Sequence, residues 1–155
     1  MRDARDEDEP ALIALIGGVF DEYPGCILDV DGEMPELRAI ATWFAKAGGE
    51  FWVVEVDGLV VACGGYTPAL GPQGLELRKL YVHADQRGKG VGSAIIARVE
   101  AAARARGCDH VDLWSDTRFT TAHRLYEKLG YLRGPETREL HDKSESVEFY
   151  FRKVL

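Results

Sequence analysis

The chain has 155 residues, the length of one domain, and a chain of this size buries roughly two thirds of its unfolded surface. Hydrophobic residues make up 46% and charged residues 29%, a composition that excludes a disordered tail, and no apolar run reaches the roughly 18 residues of a membrane span. The net charge of −7 disfavours nucleic-acid partners, which need a basic patch that this sequence does not show.

The sequence shows no targeting or metal-binding pattern. The segment MRDARDEDEP is too acidic for a signal peptide, so we expect a cytoplasmic protein with no membrane partner. Cys26, Cys63 and Cys108 are widely spaced and form no C-x-x-C pair, which predicts neither a disulfide framework nor a metal site. Because no repeat or linker divides the chain, we predict a single domain over residues 1–155.

Two helices are predicted before most of the sheet. Pro10 suits a first helical turn, and apolar residues recur at helical spacing over residues 9–22. After the polar stretch LDVDGE, Pro35 opens a second helix that Gly48-Gly49 closes.

Three strands are predicted next. EFWVVEV and LVVACGGYT are separated by Asp57-Gly58, the two-residue signature of a type I′ hairpin. In the third strand, LELRKLYV, the apolar residues occupy odd positions before Arg78-Lys79 and even positions after it. Side chains alternate faces along a strand, so the apolar set stays on one face only if an extra residue is inserted. The phase change therefore predicts a β-bulge near Arg78-Lys79.

The rest of the chain alternates helices and strands. An apolar helix face follows the glycine-rich turn QRGKGVGS and ends at the cap Gly107, and it consists of Ile95, Ile96, Val99, Ala102 and Ala103. A strand is predicted at HVDLWS, a helix from about Thr120 to Gly130, and a last strand at VEFYFRKVL after the loop RGPETRELHDKSES. This order predicts an α+β or mixed α/β sheet covered by helices.

The glycine-rich turn between a strand and a helix is a potential anion site. The first N–H groups of a helix have no internal partner, and glycine lets a phosphate or pyrophosphate approach the backbone. Alternatively, the turn is only a loop with a solvated basic pair, Arg87 and Lys89. A P-loop is excluded because its motif is absent, while Gly88, Gly90 and Ser93 approximate a dinucleotide motif. The hairpin and helices that precede the turn argue against the dinucleotide fold.

The segments ELRKLYVHADQRGKGVGSAI and AHRLYEKLGY resemble the GNAT superfamily of acetyl-CoA-dependent N-acyltransferases. Arg87, Gly90 and Gly92 satisfy the family motif R-x-x-G-x-G, and the resemblance covers roughly residues 50–133. It implies a mixed, mostly antiparallel central sheet flanked by helices, with a β-bulge and splayed central strands.

The resemblance also implies acetyl-CoA as co-substrate, with no metal. In this family the main-chain N–H groups of the glycine segment wrap the pyrophosphate of coenzyme A, and the preceding strand bonds the pantetheine arm. The bulge then offers a free N–H to the thioester oxygen. The implied cofactor-binding residues are Leu80, Tyr81, Val82, Arg87, Gly88, Lys89, Gly90, Val91, Gly92 and Ser93.

Two residues are implied as catalytic. Tyr126 matches the family tyrosine that protonates the departing thiolate, although on spacing alone it equally well packs with Leu125 and Leu129. Glu76 occupies a strand position where some members carry a glutamate base, and alternatively it is an outward carboxylate paired with Arg78. The four histidines are interpreted as structural or solvated, with His141-Asp142 the one pair worth testing.

The implied acceptor is a primary amine of a small molecule or peptide that attacks the thioester directly. The acidic segment CILDVDGEMPE favours a cationic acceptor, or it is simply a solvated loop. The alternatives are a non-catalytic acyl-CoA sensor and an NAD-binding oxidoreductase. A homodimer is compatible with the sequence. Phe119 replaces a family asparagine, and the first strand is expected to be short.

Overall fold

The computed structural model describes all 155 residues, which form a seven-stranded sheet in the order β1-β2-β3-β4-β5-β7-β6. The strands are β1 (Arg2–Asp3), β2 (Glu50–Val56), β3 (Leu59–Pro68), β4 (Gly74–Val82), β5 (His110–Asp116), β6 (Leu132–Glu139) and β7 (Val147–Val154). The helices are α1 (Glu9–Phe20), α2 (Val30–Glu33), α3 (Ile40–Lys46), α4 (Val91–Ala105) and α5 (Thr120–Lys128). Only the β4–β5 pair is parallel, so the predicted mixed, mostly antiparallel sheet is confirmed.

The predicted hairpin and bulge are both present. Asp57 (φ 52°) and Gly58 (φ 77°) join β2 to β3 with left-handed backbone, as a type I′ turn requires. Cys63 and Gly65 of β3 pair with Tyr81 and Arg78 of β4, so β4 has one extra residue between the two pairs. Lys79 has a φ of 53°, which marks the bulge at the point where the apolar phase changes.

The two central strands pair over three residues and then separate. Gly74 to Glu76 of β4 pair with His110 to Asp112 of β5. Beyond this, β4 continues against β3 as far as Val82, while β5 continues against β7 as far as Asp116. The predicted splay is therefore confirmed, and it opens a gap through the sheet.

Two apolar cores cover the two faces of the sheet. One contains the inward face of α4, including Ile95 and Val99, packed on Leu75 and Leu77 of β4. The other contains Leu12 and Ile16 of α1 with residues of α3 and β2. The periodic apolar positions of the sequence account for both, since each helix buries one stripe against the sheet.

Three local predictions were incomplete. β6 forms where a loop was predicted. The sequence did not indicate this strand, because it is a polar edge strand without apolar alternation that pairs only with β7. The LDVDGE stretch contains the single turn α2, and the segment after Pro35 begins as a 3₁₀ helix over Pro35–Ala39.

β1 is two residues long, as the short sequence before α1 predicted. No helix has the length and apolarity to cross a bilayer.

Candidate active site

The glycine-rich turn presents a run of free main-chain donors. None of the N–H groups from Gly88 to Ser93 donates a hydrogen bond within the protein, and the first donor of the helix is Ala94, which bonds the carbonyl of Gly90 at 3.0 Å. Gly88 (φ 74°) and Gly90 (φ 81°) have left-handed backbone, and a Cβ on either would meet no atom within 4 Å. The protein leaves the space over these donors open, which is the geometry of an anion site at a helix start.

Gly92 is required for a different reason. A Cβ at this position would lie 3.0 Å from Cδ2 of Leu125, so the missing side chain lets the start of α4 approach α5. The three glycines of the turn therefore serve two purposes, since Gly88 and Gly90 shape the open space and Gly92 packs two helices.

Arg87 braces the turn instead of projecting a free charge into it. Its guanidinium donates to both carboxylate oxygens of Glu22 (2.6 and 2.7 Å) and to the carbonyl of Val82 (3.1 Å), while its main-chain N–H bonds Ala84. The ion pair lowers the pKa of Glu22. Arg87 is therefore not part of a solvated basic pair, since its side chain positions the turn against Glu22 just after α1.

A groove of about 270 Å³ runs from the turn along the end of β4, and we call it the glycine groove. Nine of the ten predicted cofactor-binding residues line it, namely Leu80, Tyr81, Val82, Arg87, Gly88, Gly90, Val91, Gly92 and Ser93. Lys89 is exposed and does not line it, although its main-chain N–H belongs to the run of free donors, so its role stays a prediction. Its walls also include Val19, Tyr23, Leu125 and Lys128, which the sequence analysis did not identify as cofactor-binding residues.

The gap between β4 and β5 forms a smaller cavity of about 70 Å³, here called the slot. Tyr126 reaches it from α5 and Ser115 from β5, and the bulge contributes Lys79 and Leu80. Tyr126 is 5% exposed, and burial raises the pKa of its hydroxyl, so the group is a phenol at neutral pH. A neutral buried hydroxyl in this position is suited to donating a proton.

A third cavity, of about 320 Å³, lies beyond the slot and carries four carboxylates, Glu33, Asp116, Asp142 and Glu148; we call it the acidic pocket. Arg118 neutralises Asp116 (2.8 Å) and Arg138 neutralises Glu148 (2.7 Å). Glu33 and Asp142 form no ion pair and accept main-chain N–H groups of Lys143 and Ser146, each at 2.7 Å. Two carboxylates of the pocket therefore lack a cationic partner.

The acidic segment predicted to border the acceptor contributes less than expected. Only Glu33 of its carboxylates lines the acidic pocket. The others are occupied in ion pairs: Asp29 with Lys143, Asp31 with Arg38, and Glu36 with Lys79. The remaining acidic walls come from the C-terminal third of the chain, which the sequence analysis did not connect with this site.

Family comparison agrees with this geometry. The family model described as the acetyltransferase (GNAT) family matches residues 13–131, which include the glycine turn, α5 and every slot residue except Glu148. The chain belongs to the GNAT acetyltransferase family.

Individual relatives extend the match. An uncharacterized N-acetyltransferase of Escherichia coli K12, YjgM, is 32% identical over 135 residues, covering 84% of this chain and 80% of the relative. A GNAT-family acetyltransferase from Staphylococcus aureus Mu50 superposes with a TM-score of 0.84 at 18% identity, covering 99% of this chain and 97% of the other. The PaiA N-acetyltransferase of Thermoplasma acidophilum, solved with coenzyme A, gives 0.74 at 15% identity, with 99% and 97% covered. The protein is thus an N-acetyltransferase.

In this acetyltransferase Glu76 lies on the face of β4 opposite Leu75 and Leu77 and is half-buried. Burial is the main cause that raises its pKa, and the negative charges of Asp112 and Glu148 act in the same direction. No hydrogen bond or ion pair joins Glu76 to Arg78, whose guanidinium instead stacks over Trp43 at 5.7 Å. Glu76 lines neither the slot nor the acidic pocket, whereas Glu148 lines both.

Phe119 of the acetyltransferase forms a wall shared by the three cavities. Its ring packs on Tyr23 (4.9 Å between centroids), Phe20 (6.2 Å) and Tyr81 (6.5 Å). Phe119 and Tyr81 line the glycine groove, the slot and the acidic pocket. Where the family pattern has an asparagine, this chain therefore has an aromatic ring that lines all three cavities.

Proposed function

We propose that this N-acetyltransferase moves the acetyl group of acetyl-CoA onto a primary amine by direct attack in a ternary complex. The single observation that carries the proposal is the run of unbonded N–H groups from Gly88 to Ser93, which faces open space at the start of α4. A diphosphate fits this set of donors, because it supplies several anionic oxygens to amides that the fold leaves without partners. Acetyl-CoA bound there supplies an activated thioester.

The three cavities define a route for two substrates. The glycine groove meets the slot at Leu80 and Tyr81, and the slot meets the acidic pocket at Tyr81 and Glu148. A coenzyme anchored at the turn extends toward the slot from one side, and the acceptor enters from the acidic pocket on the other. The slot is therefore the place where the amine and the thioester meet.

Tyr126 is proposed as the proton donor. The neutral amine nitrogen attacks the carbonyl carbon, the C–S bond breaks, and the phenolic proton passes to the sulfur that leaves. The proton that the nitrogen loses as the amide forms restores the phenol of Tyr126. Tyr126 belongs to the apolar core and is 5% exposed, so an unprotonated thiolate beside it would be poorly solvated. Proton donation by Tyr126 removes that penalty.

The base that removes the proton of the ammonium group is proposed to be Glu76, with Glu148 as the competing candidate. The raised pKa of Glu76 makes this carboxylate a stronger proton acceptor than an ordinary glutamate, while Glu148 is the one that lines the slot. Replacing each by glutamine separates them: the base variant loses kcat across the pH range, and the other keeps the wild-type pH profile.

The acceptor is proposed to be cationic beyond its reacting amine. Glu33 and Asp142 are two carboxylates of one pocket that form no ion pair, and a second positive group on the acceptor would pair with them. Diamines, polyamines and basic peptides belong to this class. An acceptor screen that follows thiol release tests the point, since diamines should exceed monoamines of equal length in kcat/KM.

Two measurements test the function itself. Acetyl-CoA should raise the melting temperature and NAD should not, and protection by NAD alone would overturn the proposal. Tyr126→Phe should lower kcat by more than tenfold with a modest change in acetyl-CoA affinity. Coenzyme binding without thiol release for any amine would instead favour a non-catalytic sensor. The homodimer stays a prediction that light scattering tests.

A further inference from the structure

A buried polar pair, Ser115 and His123, lies next to Tyr126. Nε2 of His123 is 3.1 Å from Oγ of Ser115, and both residues are about as buried as Tyr126, with 4% and 5% exposure. Ser115 lines the slot together with Tyr126. We propose that Ser115 and His123 are positioning residues for Tyr126, an inference that rests on the proton-donor role proposed above.

The packing fixes the geometry of this group. His123 and Tyr126 are three residues apart on α5, so they project from the same side of the helix. Both rings pack on Phe151, at 5.2 Å for His123 and 5.5 Å for Tyr126, and His123 also contacts Phe149 at 5.6 Å. Burying an imidazole among aromatic rings costs folding free energy unless its nitrogens are hydrogen-bonded. The hydrogen bond to Ser115 offsets this cost and fixes the two side chains relative to each other.

The position of Ser115 suits the charge that forms on Tyr126. When the phenolic proton passes to the departing sulfur, the oxygen of Tyr126 becomes negative in an apolar site. A hydroxyl that donates to this oxygen stabilises it, and the interaction of Ser115 with Tyr126 indeed opposes the rise of the tyrosine pKa that burial causes. This role requires the Nε2–H of His123 to donate to Oγ of Ser115, 3.1 Å away, which leaves the hydroxyl proton of the serine free to donate to Tyr126.

The histidine is placed for orientation and not for direct proton transfer to substrate. His123 lines none of the three cavities, whereas Ser115 and Tyr126 both line the slot. Burial lowers the pKa of His123, so the ring is neutral at neutral pH and one nitrogen accepts while the other donates. The contacts therefore lead from His123 in the core, through Ser115, to the slot.

The experiment is a double-mutant cycle on kcat. Ser115→Ala and His123→Phe should each lower kcat about tenfold, which is the loss of one hydrogen bond to a charged group, with the KM for acetyl-CoA changed by less than about twofold. His123→Phe keeps an aromatic ring against Phe149 and Phe151, and His123→Gln restores a polar partner for Ser115. We expect His123→Gln to recover most of the rate. Melting temperatures identify any variant that fails to fold.

The decisive comparison uses the Tyr126→Phe background. There the phenolic oxygen is absent, so adding Ser115→Ala or His123→Phe should change kcat no further. An equal loss in both backgrounds, or wild-type kcat in the two single variants, overturns the positioning role while leaving acetyl transfer intact. Wild-type kcat in Tyr126→Phe alone is a different result, because it removes the proposed proton donor itself and with it this inference.

Discussion

For Gly90→Ala, the structure allows both the loss of stability and the loss of acetyl-CoA affinity to be estimated. Gly90 has a φ of 81°, and a Cβ there meets no atom within 4 Å, so the folding cost of the substitution is the backbone strain alone. For an alanine in the left-handed region this strain is about 1 kcal/mol, which in a chain of this length lowers Tm by roughly 2 to 4 °C.

The same methyl group has a larger effect on coenzyme binding. It extends into open space from a residue that lines the glycine groove, and the loss of one charge-assisted hydrogen bond of about 1.5 to 3 kcal/mol to the bound anion weakens binding roughly 10- to 100-fold. Isothermal titration calorimetry with acetyl-CoA measures this change directly, and thermal unfolding measures the stability cost on the same sample.

Gly107→Ala is the matched control at the other end of α4. Gly107 has a φ of 73° and equally open surroundings, so its substitution carries the same backbone cost, but it does not line the glycine groove. We expect both variants to lose similar stability and only Gly90→Ala to lose affinity. If Gly90→Ala binds acetyl-CoA as tightly as Gly107→Ala does, the N–H groups of the turn are not the coenzyme site.

Two further predictions concern ionisation. The pKa of Glu22 is lowered by Arg87, so their pair stabilises the fold above the unfolded pKa of about 4.3, and this stabilisation is lost as pH falls through the lower folded pKa. The Tm difference between wild type and Glu22→Gln should therefore shrink as the pH is lowered below about 4.3. A constant difference contradicts this. Burial raises the pKa of Cys63 to about 12. Ellman's reagent at pH 8 should thus titrate at most Cys26 and Cys108 in the native protein and a third thiol after denaturation, whereas three reactive native thiols would show that Cys63 is accessible.

The features that were predicted from the sequence are those that local residues determine. The hairpin depends on Asp57-Gly58, because few other pairs adopt two left-handed conformations in succession. The bulge at Lys79 follows from a phase change within nine residues of one strand. Both signals lie in neighbouring positions, so no knowledge of distant contacts is needed.

The features that were missed depend on distant partners. β6 contains Gly134 and Pro135 and has no apolar alternation, so its strand conformation comes from pairing with β7. Glu22 becomes the partner of Arg87 across 65 positions. The acidic pocket likewise joins Glu33 to Glu148, and only the folded chain brings these carboxylates into one cavity.

The brief pairing of β4 with β5 has a mechanical consequence. The half-sheet of β1 to β4 and the half-sheet of β5 to β7 share three residue pairs along their common border, and beyond these the seam is open. A molecule that lies in this seam contacts both half-sheets and restricts their motion relative to each other. Amide hydrogen exchange should therefore slow on both sides at once when acetyl-CoA binds, including in strands that never contact it.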